Sequence, residues 1–182
     1  MTTLIIPGWG NSGPGHWQTR WEQELPDAVR VGQADWDLPQ LDDWVAALDA
    51  AVAACAEPPV LVAHSLGCTT VAHWAARGPA APVRGALLVA PPDVDLVDQP
   101  ELYGFRQVPR EPLPFPAVLV GSRTDQWMGF DRAAGYAASW GADFVDAGAV
   151  GHLNTDAGFG PWPAGEALLS DLLARTAETR TA

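Results

Sequence analysis

The segment Val60-Leu61-Val62-Ala63-His64-Ser65-Leu66-Gly67-Cys68 runs an apolar strand pattern straight into a serine and then into a helical pattern. The residues two positions to either side of Ser65, Ala63 and Gly67, are small. A serine held on a strained strand-to-helix turn leaves no room for a large side chain at those two places, so the pattern reads as a nucleophile elbow. Ala63 stands where such turns usually carry glycine and adds one methyl group. Taken alone, Ser65 could equally be the cap of the following helix. A hydroxyl needs a base to attack a carbonyl, and the chain supplies candidates in the order the elbow requires. Asp125 follows the apolar run 117–120, and His152 follows the last strand pattern, in Gly151-His152-Leu153-Asn154. His152 would take the Ser65 proton and return it to a leaving group, while Asp125 would fix the imidazole tautomer and stabilise the imidazolium.

Two other carboxylates compete with Asp125. Asp93 follows the preceding strand pattern, and Asp131 stands where a helix should begin, a place that favours a carboxylate anyway; Asp125 is preferred. The remaining histidines read as structural. His64 should point away along its strand, His73 lies on the helix after the elbow, and His16 opens the first helix. Trp9 and Trp127 adjoin proposed chemical elements and, with Met128, could wall an acyl or leaving-group pocket; anchoring of their loops is the alternative.

The elements that must position these groups alternate along the chain. Apolar runs bounded by Pro or Gly at 4–6, 60–63, 86–90 and 117–120 read as strands buried on both faces, and weaker runs at 28–31 and 143–145 bring the number to about six. Helical patterns lie between them at 14–24, 40–55, 66–77, 131–140 and 163–175. In the clearest of these, Leu41, Trp44, Val45, Leu48, Val52 and Cys55 form one stripe, with Pro39 suited to the first turn and Asp42 and Asp43 to its positive end. Trp17, Trp21, Trp44, Trp74 and Trp140 sit on such stripes and should be core, and Leu168, Leu169, Leu172 and Leu173 should face inward. The alternation implies a three-layer α/β domain with a mostly parallel sheet, since parallel neighbours need helical crossovers. Residues 91–116 carry seven prolines and no periodicity; they could cover a site at the strand ends but are too short for a large cap.

On such a scaffold the turn after the first strand, Pro7 to Gly15, would give one backbone N–H to an oxyanion hole and the residue after the nucleophile the other, here Trp9 and Leu66. That turn has four glycines but neither a G-x-G-x-x-G spacing nor a P-loop lysine.

Composition narrows the function further. A chain of 182 residues with 48% hydrophobic and 18% charged residues is long enough for one core, so residues 1–182 are expected to form a single domain with the last few residues as a flexible tail. A formal net charge of −12 opposes binding to nucleic acid and to anionic membranes. Cys55 and Cys68 have no metal or CxxC spacing, fall on helical patterns and read as free thiols in a reducing compartment, hence a cytoplasmic protein. The start of the chain has no basic segment followed by a long apolar run, as a signal peptide or membrane span would need. Basic charge carried wholly by Arg, with much Ala and Gly, suggests a GC-rich bacterial genome. No metal or other cofactor is called for, and the oligomeric state is open.

Together the motifs resemble a known family, the small serine hydrolases similar to retinoblastoma-binding protein 9 and the bacterial YdeN-like proteins. The carriers are Pro7-Gly8-Trp9-Gly10 with Gly15-His16-Trp17, Ala63-His64-Ser65-Leu66-Gly67, Ser122-Arg123-Thr124-Asp125 and Gly151-His152-Leu153-Asn154. The resemblance spans nearly the whole chain and implies an α/β-hydrolase core without a large cap, with Ser65, Asp125 and His152 as triad. Gln126 departs from the Pro expected after the acid in many relatives. Leu66-Gly67-Cys68-Thr69-Thr70 begins like an L-x-C-x-E motif but ends in Thr and belongs to a helix expected to be buried, so the retinoblastoma-binding property does not carry over. The expectation is a serine hydrolase of small esters or amides, aminoacyl or short-peptide substrates included, working through an acyl-enzyme. The contrasting expectation is an interaction protein that keeps only the hydrolase shell.

Overall fold

The computed structural model describes residues 1–79 and 81–178; the C-terminal tail expected from the sequence lies outside the described residues. Six strands, β1 (Thr3–Ile6), β2 (Ala28–Arg30), β3 (Val60–His64), β4 (Gly85–Val89), β5 (Ala117–Gly121) and β6 (Asp143–Asp146), form one sheet in the order β2-β1-β3-β4-β5-β6. All five pairings are parallel. The helices α1 (Trp17–Glu24), α2 (Leu41–Ala53), α3 (Leu66–Ala76) and α4 (Phe130–Trp140) lie in four of the five crossovers, residues 91–116 make the β4–β5 crossover, and α5 (Pro163–Glu178) follows β6.

Side chains alternate across the strands and divide the core in two. On one face Leu4, Ile6, Leu61, Ala63, Leu88 and Leu119 pack against α2, α3 and α4 through Trp44, Leu48, Trp74, Tyr136 and Trp140. On the other, Ile5, Val60, Val62, Leu87, Val118 and Val120 meet Trp17 and Trp21 of α1 and Leu169 and Leu172 of α5. Residues on both faces of β1, β3, β4 and β5 are buried, which is why these strands read as unbroken apolar runs; β2 and β6 lie at the sheet edges, half exposed. The five tryptophans expected in the core are buried there. Leu168 and Leu173 pack against the core less deeply than Leu169 and Leu172.

Several boundaries differ from the sequence expectation. Helix α1 starts at Trp17, not at residue 14, because residues 13–16 make a turn and the His16 ring caps the helix, its Nδ1 accepting the Gln18 N–H at 3.1 Å. Gln40 is the cap of α2, so Pro39 stands outside its first turn, and Cys55 lies past the helix end, half-buried. Residues 91–116 contain a 3-10 helix, Pro100–Phe105, and are held by the burial of Val94, Leu102, Phe105, Val108 and Phe115. Among the described residues no helix is long and apolar enough to cross a membrane.

After β1 the chain goes to β2 on one side and then to β3 on the other. A crevice therefore opens beyond the carboxyl ends of β1 and β3, where the loop 7–15 and Ser65 both emerge.

Candidate active site

Ser65 occupies φ 53°, ψ −126°, a left-handed conformation that a non-glycine residue rarely adopts, between the end of β3 and the start of α3. The turn is over-determined by its surroundings. The Ser65 N–H donates to the Val89 carbonyl at 2.9 Å, and the Ser65 carbonyl accepts the Cys68 N–H at 2.9 Å. Close approach explains the small neighbours: a Cβ on Gly67 would lie 2.3 Å from the Ile6 carbonyl oxygen, and one on Gly8 would lie 2.7 Å from the Ser65 Cβ. The chain leaving β1 is thus pressed against the elbow, which brings Trp9 and Leu66 to the same cavity as Ser65.

The Ser65 Oγ lies 2.9 Å from His152 Nε2, and both carboxylate oxygens of Asp125 lie 2.9 Å from His152 Nδ1. A carboxylate can only accept, so His152 Nδ1–H donates to Asp125 and Nε2 is left to accept the Ser65 hydroxyl proton. The two ionisable side chains are buried, 6% exposed for His152 and 2% for Asp125, so their hydrogen bonds are shielded from water. Asp125 is fixed in turn by accepting the Trp127 N–H at 2.9 Å.

The other candidates for the acid lie elsewhere. Asp93 is buried against the Arg132 guanidinium, which binds both its oxygens. Asp131 stands in the first turn of α4.

The loops that carry Asp125 and His152 are tied by two hydroxyls of the Ser122-Arg123-Thr124-Asp125 segment, to which the sequence alone assigns no role. Ser122 Oγ accepts the Val150 N–H at 3.1 Å, Thr124 Oγ1 accepts the Gly151 N–H at 3.0 Å, and the Arg123 N–H donates to Gly148 O at 2.8 Å. Downstream, the Leu153 carbonyl accepts the Trp17 Nε1–H at 2.9 Å. Hydroxyls two residues apart just before the acid are the available signal, but serine and threonine are common in loops and their spacing does not say what they bind.

His64 does not point away from the site. Strand alternation puts it on the same face as Val60 and Val62, where its Nε2–H donates to the His152 carbonyl at 2.9 Å and its ring lies 4.9 Å from the His152 ring. His16 packs on the other side of His64, with ring centroids 4.8 Å apart. Burial first, and the neighbouring imidazoles second, hold His64 well below the usual histidine range. Burial, then the Arg30 guanidinium and the neighbouring His152 imidazole, lower His16 to about 4. Both rings are therefore neutral at pH 7. His73 is remote, bonded to the Phe105 carbonyl at 3.0 Å.

The cavity over Ser65 has a volume of about 280 Å³ and is bordered by Trp9, Leu66, Leu102, Trp127 and His152, among others. Trp9 and Trp127 meet edge to face, 6.3 Å between ring centroids, and Trp127 lies 6.2 Å from the His152 ring. Met128 does not join them. It is 3% exposed, packed in the core, and borders a separate cavity shared with Asp93, Leu96 and Arg132, because the bond from the Asp93 N–H to the Trp127 carbonyl turns the chain inward there. Gln126 is exposed and borders that second cavity. Cys68 is fully buried in α3, where burial pushes its thiol far up and makes it unreactive; the Leu66 to Thr70 segment is buried with it.

A parallel sheet between two layers of helices, with a strained serine turn at its crossover crevice and no large cap among the described residues, defines an α/β hydrolase. The chain belongs to the serine hydrolase family, whose model residues 3–171 match. It is similar to a YdeN-like hydrolase from Pectobacterium atrosepticum, with 32% identity and a TM-score of 0.86 over 96% of this chain and 91% of that one. The ydeN gene product of B. subtilis matches with 23% identity and a TM-score of 0.79, over 95% and 98% of the two chains. The RedJ thioesterase of the prodiginine pathway in Streptomyces coelicolor shares the fold at 14% identity and a TM-score of 0.66, over 96% and 89%. No curated protein matches the chain in sequence.

Proposed function

We propose that this hydrolase, acting as one domain of residues 1–182, cleaves small esters or amides through an acyl-enzyme on Ser65. The supporting observation is the line Ser65 Oγ, His152 Nε2, His152 Nδ1, Asp125, with 2.9 Å at each step. As Ser65 Oγ attacks the substrate carbonyl, its proton moves to His152 Nε2, and Asp125 stabilises the imidazolium without accepting that proton. The negative charge that develops on the carbonyl oxygen is received by the backbone N–H groups of Trp9 and Leu66, which border the cavity beside Ser65. His152 then gives its proton to the leaving alcohol or amine. Water, deprotonated by the same ring, attacks the acyl carbon and releases the acid and free Ser65.

A cavity of about 280 Å³ sits just below the range of about 300–1,000 Å³ typical of small-molecule sites, which favours short acyl groups. The free thiols of Cys55 and Cys68 agree with a reducing, cytoplasmic setting. An interaction protein that kept only the shell would have no need of a buried serine–histidine–aspartate line. The test is turnover of p-nitrophenyl acetate by wild type and Ser65→Ala. Loss of turnover in a folded Ser65→Ala protein supports the reading, and full retention would overturn it.

A further inference from the structure

His16, a residue that borders the Ser65 cavity, carries a hydrogen-bond donor that the acyl-transfer chemistry does not use. His16 is 5% exposed and borders the cavity. Its Nδ1 accepts the Gln18 N–H as the cap of α1, so in the neutral ring the proton sits on Nε2. That Nε2 is buried and has no hydrogen-bond partner among the described residues. Other buried side-chain atoms without partners, on Arg20, Trp21, Gln33, Thr69, Arg84 and Tyr136, belong to residues that do not border this cavity. An unmet buried N–H destabilises a fold, and its persistence beside a binding cavity calls for a ligand atom.

The cavity is also divided by chemistry. Trp9, Leu66, Pro92, Leu102 and Trp127 form an apolar side, whereas Asn11, His16, Asn154, Thr155 and Asp156 form a polar one. His152 must pass its proton to the leaving group, and residues 154–156, which begin two positions after it, border the same cavity. On this ground the leaving group is assigned to the polar side. Nε2–H can only donate, so its partner is an acceptor oxygen; the Asp156 carboxylate nearby disfavours an anionic one.

We infer that His16 Nε2–H recognises a neutral acceptor oxygen in the leaving group, so that the preferred substrates are esters or amides whose alcohol or amine part carries an ether, hydroxyl or carbonyl oxygen. This rests on the acyl-enzyme reading above. It makes His16 a specificity-determining residue, and it narrows the substrate class from simple alkyl esters to esters of oxygenated alcohols and their amide counterparts.

The test compares butyl acetate with 2-methoxyethyl acetate, which exchange one methylene for an ether oxygen at equal length. The ratio of their kcat/KM values is measured in wild type and in His16→Asn, where the Asn oxygen can still cap α1. Intrinsic reactivity cancels between the two proteins. The ether-over-alkyl preference should fall about fivefold to tenfold in the variant, the worth of one hydrogen bond; an unchanged ratio overturns the inference. Should His16→Asn fail to fold, wild type alone answers: its acetyl-enzyme, formed from p-nitrophenyl acetate, should pass acetyl to 2-methoxyethanol several-fold more often than to 1-butanol, and equal transfer overturns the inference. Fluorophosphonate labelling of wild-type Ser65 separates the two levels. A labelled, active enzyme with an unaltered ratio defeats only the role of His16, whereas an unlabelled, inactive one defeats the hydrolase reading and this inference with it.

Discussion

Asp125→Asn replaces a group that can only accept hydrogen bonds with one that must also donate. In the structure Asp125 Oδ1 accepts the Trp127 N–H, and both oxygens face His152 Nδ1 at 2.9 Å. An asparagine that keeps the Trp127 bond through its oxygen turns its NH₂ toward Nδ1. That orientation requires Nδ1 to accept and moves the ring proton to Nε2, where it opposes the Ser65 hydroxyl instead of receiving its proton. The base is lost while packing is nearly unchanged. Loss of the correct tautomer lowers kcat by roughly 10³ to 10⁴, or about 4–5 kcal/mol of transition-state stabilisation. Asp93→Asn should behave oppositely. It breaks the pair with Arg132, whose side chain is 41% exposed and can turn to water, so stability should fall by about 1–2 kcal/mol with kcat within about threefold of wild type. The assay is kcat on p-nitrophenyl acetate alongside urea unfolding for both variants. A larger loss of kcat in Asp93→Asn than in Asp125→Asn would refute the reasoning.

Other consequences are open to direct measurement. His16 and His64 are held proton-free in the fold but take a proton near 6.5 when unfolded, so between pH 6.5 and about 4 the unfolded chain binds more protons and stability falls as pH drops. His16 alone accounts for up to about 3 kcal/mol, and urea midpoints should fall less steeply across this window in His16→Asn than in wild type. Among the described residues, Trp127 alone borders both the Ser65 cavity and the cavity beside Met128. Wild type should reach its highest kcat/KM on p-nitrophenyl esters at about two to four acyl carbons, and Trp127→Ala should move the optimum to longer chains, gaining about tenfold for every two methylenes received; an unshifted profile would show that the indole is no partition. Gly67→Ala drives a methyl group to 2.3 Å from a backbone carbonyl of β1 that cannot move cheaply, and should destabilise by about 3 kcal/mol or more in urea titration; a change under 1 kcal/mol would contradict the close packing of the elbow on β1.

The central strands were legible because burial on both faces removes polar residues from them, as in Val60 to Ala63. The elbow was legible because its steric demand falls on two positions close to Ser65 in sequence, Ala63 and Gly67. Asp125 and His152 could be found from chain order, since a parallel sheet delivers successive strand ends to one edge.

What stayed hidden depends on contacts between distant segments. The His64 ring reaches the His152 carbonyl across 88 positions of sequence, and no local pattern announces it. Met128 follows Trp127 directly yet enters the core, because a backbone bond from Asp93 turns the chain there. The start of α1 differs from the sequence expectation because proline and glycine at residues 14 and 15 fit either a first turn or a preceding loop. The deciding feature, a histidine nitrogen used as helix cap, is outside the usual Ser, Thr, Asp and Asn preference.

The central claim is that Ser65 alone is activated to attack a carbonyl, and covalent trapping tests it most directly. Wild type treated with a fluorophosphonate, digested and mapped by peptide mass spectrometry should carry one adduct, on the peptide containing Ser65, and folded His152→Ala should label far more slowly at that same position. An adduct on another serine, or labelling of Ser65 at an undiminished rate without His152, would contradict it.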